Sequence, residues 1–129
     1  MAVQSFETGL VSADRALVTF YCAVLELDEL EPFEFPQGTV HRMRAPGGHV
    51  VKVMVPAAAP AVPAAAETFY GIAGYRYMTV RVDDIDGVID RAAAHGGRVV
   101  TGPRELRPGV QIVVITDPDD NTFEVIQDS

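Results

Sequence analysis

Three histidines, one cysteine and a dense set of carboxylates are the side chains in this chain that can ligate a metal, attack an electrophile or move a proton. Cys22 stands alone, so an intrachain disulfide and a cysteine-rich zinc site are both excluded. A lone thiol suits a reducing compartment and reads as a small apolar packing residue. His49 closes the turn-forming run Ala45-Pro46-Gly47-Gly48, and His95 precedes Gly96-Gly97, where a cation suits the negative end of a helix. Both read as local structure. His41 differs: it lies in a β-rich run whose facing the sequence leaves open, so it stays a candidate ligand-binding residue. Two aromatic groups offer stacking surfaces or, equally, covers for the core edge: Phe69-Tyr70-Gly71-Ile72-Ala73-Gly74-Tyr75, and Phe33 with Phe35 in an acidic segment. Acidic residues around an apolar wall favour a cationic or neutral ligand over a phosphorylated one.

These groups need a scaffold, and the chain is long enough for one. Its 129 residues fit a single domain with a real core, and 48% apolar residues suffice to offset the ordering entropy. Ten Lys and Arg against 18 Asp and Glu give a net charge of −8. That field repels phosphate backbones and no basic run counters it, which excludes nucleic acid as the expected partner. The N-terminus lacks the basic start and apolar stretch of a signal peptide, and no apolar run reaches the ~18 residues of a membrane span. The expectation is a cytoplasmic protein with no membrane partner.

Hydrophobic periodicity then orders the elements. Residues 5–12 alternate as a strand, and Leu17, Phe20, Tyr21, Val24 and Leu25 recur at helical spacing after Ser12 and Asp14, either of which can cap. Residues 27–35, rich in Glu and Asp, suit an edge strand or loop. Residues 39–44 and 50–55 form a hairpin around the Pro-Gly-Gly turn. Residues 56–66, with three prolines among alanines, make a semi-rigid linker. The order then returns. A strand at 75–82 precedes a helix from Asp83-Asp84 to Gly96-Gly97, a short strand at 98–101, and strands at 111–116 and 122–127 around Asp117-Pro118-Asp119-Asp120-Asn121. Asp14 and Asp84 lie 70 apart, Ala45 and Asp117 72 apart, so one βαβββ module is present twice with a two-residue indel. The fold class is α+β: module 1 at about 1–56, module 2 at about 75–129, and two mixed, curved sheets enclosing a cleft.

The chain resembles the vicinal oxygen chelate superfamily of glyoxalases, bleomycin-resistance proteins and extradiol dioxygenases over nearly its whole length. Asp117-Pro118-Asp119-Asp120-Asn121-Thr122-Phe123-Glu124 is similar to the family's D-P-D-G-N-x-x-E, with Asp120 in place of the glycine. Asp14 through Phe20-Tyr21 is similar to its D-x-x-x-x-x-F-Y, and Val80-Arg81-Val82-Asp83-Asp84 precedes the second helix in the same way.

The resemblance implies a tetrad facing the cleft: Glu7, Lys52, Tyr77 and Glu124. Members that bind a metal have His, Gln or Glu at these places, so Glu7 and Glu124 fit while Lys52 and Tyr77 do not. A divalent cation beside the Lys52 ammonium would meet a like charge. Lys52 between the carboxylates instead supplies the positive charge itself, with Tyr77 adding a hydroxyl. The reading is therefore a metal-free, cofactor-free cleft that binds a small organic ligand through Glu7, Lys52, Tyr77, Glu124 and His41, with no reaction assigned, in a homodimer. Two alternatives stay open. One is a metal-dependent glyoxalase, isomerase or dioxygenase-type enzyme using Glu7 and Glu124 with further ligands such as His41. The other is a subunit whose cleft is vestigial, with Lys52 in a plain cross-strand ion pair.

Overall fold

The computed structural model describes residues 2–63 and 66–128. The chain divides into two compact units between Val62 and Pro63, inside the proline–alanine stretch. Of that stretch, Ala64 and Ala65 lie outside the described residues. No helix among the described residues is long and apolar enough to cross a membrane.

The first unit runs β1 (Glu7–Val11), α1 (Ala16–Val24), β2 (Asp28–Glu29), β3 (Phe33–Phe35), β4 (Gly38–Arg44) and β5 (Val50–Pro56). Its sheet has the order β1-β5-β4-β2, with β3 also on β4. β1 is parallel to β5 and the other pairs are antiparallel. Helix α1 begins where Asp14 Oδ1 accepts the Ala16 N–H at 2.8 Å, satisfying one of the donors a first turn leaves over. Leu17, Val18, Phe20, Tyr21 and Val24 are buried, and α1 packs on β4, where Met43 is fully enclosed, as is Val53 on β5. Each such side chain contributes about 1.5–3 kcal/mol of transfer free energy. The acidic segment at 27–35 forms two short strands against β4 rather than one, held on the helix side by Arg15 to Glu29 at 2.8 Å.

The second unit runs β6 (Tyr77–Arg81), α2 (Ile85–Ala94), β7 (Arg98–Arg107), β8 (Val110–Thr116) and β9 (Thr122–Asp128), in sheet order β6-β9-β8-β7. Asp84 accepts the Gly87 N–H at 3.0 Å and Gln127 Oε1 accepts the Ile85 N–H at 2.7 Å, so the start of α2 is capped twice. At its end Gly96 turns left-handed (φ 88°) and the Gly97 N–H returns to the Ala92 carbonyl. Ile85, Val88 and Ala92 bury against Val113, Ile115, Phe123 and Val125, all four of which are fully enclosed. β7 has ten residues where the sequence suggests a strand of four at 98–101. Gly102-Pro103 looks like a terminator, yet β7 is an edge strand, where a missing donor is tolerated, and the ladder shifts register between Thr101 and Arg104.

The duplication holds at the level of hydrogen bonding. β6 starts and ends 70 residues after β1, while β8 and β9 start and end 72 after β4 and β5. Gly9 pairs with Lys52 as Thr79 pairs with Glu124. The hairpin turns also match: Ala45 N–H bonds His49 O at 2.9 Å, and Asp117 N–H bonds Asn121 O at 2.9 Å. In the second turn the buried Asp117 carboxylate also accepts the N–H groups of Asp119 and Asn121 at 2.9 and 3.0 Å and the Asn121 amide at 2.9 Å.

Candidate functional site

Side chains alternate along a strand, so the pairing register assigns each residue to a face. In the first unit, the face away from α1 carries three cross-strand rows. Glu7, Val50, Arg44 and Asp28 form one, Gly9, Lys52 and Arg42 the next, and Val11, Met54, Val40 and Phe33 the third. Lys52 reaches diagonally past Gly9, and its Nζ lies 3.2 Å from Glu7 Oε1 with both side chains about two-fifths exposed (41% and 43%). Gly9 presents no side chain between them. An exposed pair of this kind contributes about 0–1 kcal/mol. Arg42 stands directly opposite Lys52, and its Nη2 donates to the Glu31 carbonyl at 3.2 Å.

His41 is on the other face. Its partner in register is the fully enclosed Val53, and its Nδ1 is buried without a hydrogen-bond partner. The structure therefore does not bring His41 together with Glu7 and Lys52, because the Ala45–His49 closure puts Arg42, not His41, beside the lysine.

In the second unit Tyr77 and Thr79 on β6 share a face with Thr122 and Glu124 on β9. Thr79 Oγ1 donates to Glu124 Oε1 at 2.8 Å. Tyr77, 56% exposed, meets the Phe69 ring edge-on with centroids 5.2 Å apart, and Phe69 meets Tyr70 in the same manner at 5.3 Å. The Glu124 carboxylate thus has a hydroxyl partner, and it comes from Thr79 rather than from Tyr77. The four tetrad positions lie two in each unit: Glu7 is ion-paired with Lys52, and Tyr77 shares one sheet face with Glu124.

Sequence reading passes over Gly9, Arg42 and Thr79. Gly9 and Thr79 are two residues beyond Glu7 and Tyr77, the partners of Lys52 and Glu124 in parallel register. Arg42 follows from the turn: once Ala45 is paired with His49, counting back along β4 and forward along β5 sets Arg42 against Lys52. Cys22 belongs to none of these faces. It is half-buried on α1, and burial, reinforced by the Glu29 carboxylate, pushes its thiol above the usual range. Among the described residues no three His, Cys, Asp or Glu side chains gather as metal ligands.

Solved structures with this architecture span nearly the whole chain. A glyoxylase/bleomycin resistance protein/dioxygenase domain from Frankia sp. EAN1pec is 16% identical with a TM-score of 0.77, covering 100% of this chain and 94% of that one. A glyoxalase family protein from Bacillus cereus is 13% identical with a TM-score of 0.82, covering 99% and 96%. The fosfomycin resistance protein FosX from Listeria monocytogenes, complexed with Mn(II) and sulfate, is 12% identical with a TM-score of 0.70, covering 100% and 93%. At these identities the likeness is one of fold. A comparison with curated proteins gave no match. The sequence model of one family matches residues 10–125, and by that match the chain belongs to the Glyoxalase/Bleomycin resistance protein/Dioxygenase superfamily.

Proposed function

We propose that this chain binds a small organic molecule on the sheet faces turned away from its helices, without a metal ion, as a cytoplasmic homodimer. The observation that carries the metal-free reading is the Lys52–Glu7 contact at 3.2 Å. Lys52 holds a position where metal-binding members of the superfamily carry a ligand, and it occupies the carboxylate that such a metal would use. The residues do not fit a divalent cation: an ammonium has no lone pair to donate, and an ion coordinated by Glu7 would sit a few ångströms from a like charge. Glu7 is then an acceptor for ligand hydroxyl or amine donors, Lys52 a donor to ligand oxygens, and Tyr77 with Phe69 an aromatic edge. Glu124, tethered by Thr79, presents its second oxygen to a ligand donor.

The alternative is a metal-dependent glyoxalase, isomerase or dioxygenase-type enzyme, favoured by the Mn(II) in the FosX structure. It requires Glu7 to leave Lys52, and the three rows of the first unit hold one further carboxylate, Asp28. Elemental analysis after chelator-free purification separates the two. The expected result is a trace of divalent metal, whereas about one Zn, Ni, Mn or Fe per chain overturns the metal-free reading. Sedimentation at several concentrations checks the dimer.

A further inference from the structure

The exposed face of the first sheet carries a charge that the chain does not neutralise. Arg42 and Lys52 stand directly opposite each other in the β4–β5 register, but their charged ends reach apart, Lys52 to Glu7 on β1 and Arg42 to the Glu31 carbonyl on the other side of β4. One carboxylate, Glu7, answers Lys52. Arg42 donates to a neutral acceptor, the Glu31 carbonyl, and its Nε is buried without a partner. Among the described residues no carboxylate forms an ion pair with it. A half-buried guanidinium lacking a counter-charge is costly, and its planar fork of donors matches a carboxylate.

The next row is apolar across four strands: Val11, Met54, Val40 and Phe33. Val11 and Phe33 are 59% and 63% exposed, and the Phe35 ring lies 6.3 Å from that of Phe33. On the other side of the cationic row the residues are mostly polar, with Glu7, Arg44 and Asp28. Cationic and apolar rows side by side have a direction, acid at one end and apolar body at the other.

We propose that this face takes a small organic monoanion, a carboxylate carrying an apolar or aromatic body, with the acid on Arg42 and the body along Val40, Met54 and Phe33. The inference rests on the ligand-binding reading above and narrows its ligand class. The sign opposes the chain's net charge of −8, so the overall field does not steer the ligand in. Recognition comes from charge-assisted hydrogen bonds to the Arg42 guanidinium at short range. The second unit has no equivalent, since Val114 and Glu124 stand at the matching positions. The acid therefore selects the first face.

The test is a titration of the isotope-labelled full chain, followed by amide shifts, with 4-phenylbutyrate, 4-phenylbutanol, 4-phenylbutylamine and acetate. Phenylbutyrate should shift β4 and β5 amides saturably and bind about tenfold or more tightly than the other three. Arg42→Gln should remove that preference while leaving the weak response to the alcohol, and Arg42→Lys should restore part of it. An alcohol or amine that binds this face as tightly as the acid overturns the anion assignment and leaves small-molecule binding standing. A face that no probe shifts overturns both. Amide shifts on β4 and β5 that follow protein concentration without any probe give the face to a second copy of the chain, and also overturn the proposal.

Discussion

At matched positions of the two sheets, each 72 residues apart, Lys52 is answered by Glu124, Arg42 by Val114 and His41 by Val113. Across the three matched strands the hydrogen-bond ladder is the same in both, because it uses only backbone groups and a turn of fixed length. The side chains are not constrained equally. On the helix side of the second sheet every central residue is apolar and fully enclosed, whereas the first sheet has His41 there, half-buried with an unsatisfied ring nitrogen. On the far side the first sheet concentrates cations and the second offers a hydroxyl–carboxylate pair with an aromatic edge. Duplication preserved the frame and released the faces to diverge, so the two halves are not interchangeable binding surfaces.

The largest expected effect tests the difference between the two cores. Phe123→Ala should lower stability by about 3–5 kcal/mol, and Val51→Ala, its half-buried counterpart, by about 1–2 kcal/mol, read from urea unfolding at unchanged m. Equal losses would mean that the first core is as tightly packed as the second. Next is the exchange of a core residue between modules. His41→Val removes the unpartnered nitrogen and should raise stability by about 1 kcal/mol. A loss instead would show that the imidazole fills space a valine leaves empty.

The modules, their order and the indel between them were legible because a β-hairpin around Asp117-Pro118-Asp119-Asp120-Asn121 and a helix after Asp84 announce themselves locally. The length of β7 was not, since tolerance of Gly102-Pro103 depends on its being an edge strand, a tertiary fact. Of the candidate site, Glu7 follows from the resemblance, as the residue seven before Asp14, and Lys52 from the repeat, as the counterpart of Glu124. Arg42 and the facing of His41 required the hairpin register, which a slip of one residue would invert. Thr79 was passed over because the tetrad pattern points at Tyr77, two residues earlier on the same face.

Two smaller effects sharpen the comparison. Gly48 and Asp120 occupy the same turn position with φ of 93° and 66°, a region that penalises a side chain. Asp120→Gly should raise stability by about 0.5–1 kcal/mol in thermal melts, since the 3.9 Å contact with Arg98 that it forfeits is largely solvent-exposed. A loss on that exchange would assign the contact real weight. The smallest effect is at Cys22, whose place on α2 is held by Ala92. With the thiol raised in the folded state above its ordinary 9.0, the unfolded chain ionises first, so its contribution is complete below that pH and declines as pH climbs beyond it. Cys22→Ala should flatten that decline, and wild-type protein at pH 8 should react with iodoacetamide more slowly than the unfolded chain.

The Asp117 turn also bears on the order in which the molecule assembles. A carboxylate that gathers three donors within four residues templates its own loop before any distant contact exists, while Ala45 at the same place in the first hairpin has no such means. The β8–β9 hairpin should accordingly be an early nucleus and β4–β5 a late addition. In stopped-flow refolding, Asp117→Ala should slow folding with a φ-value near 1, and Ala45→Gly should chiefly speed unfolding, with a φ-value near 0.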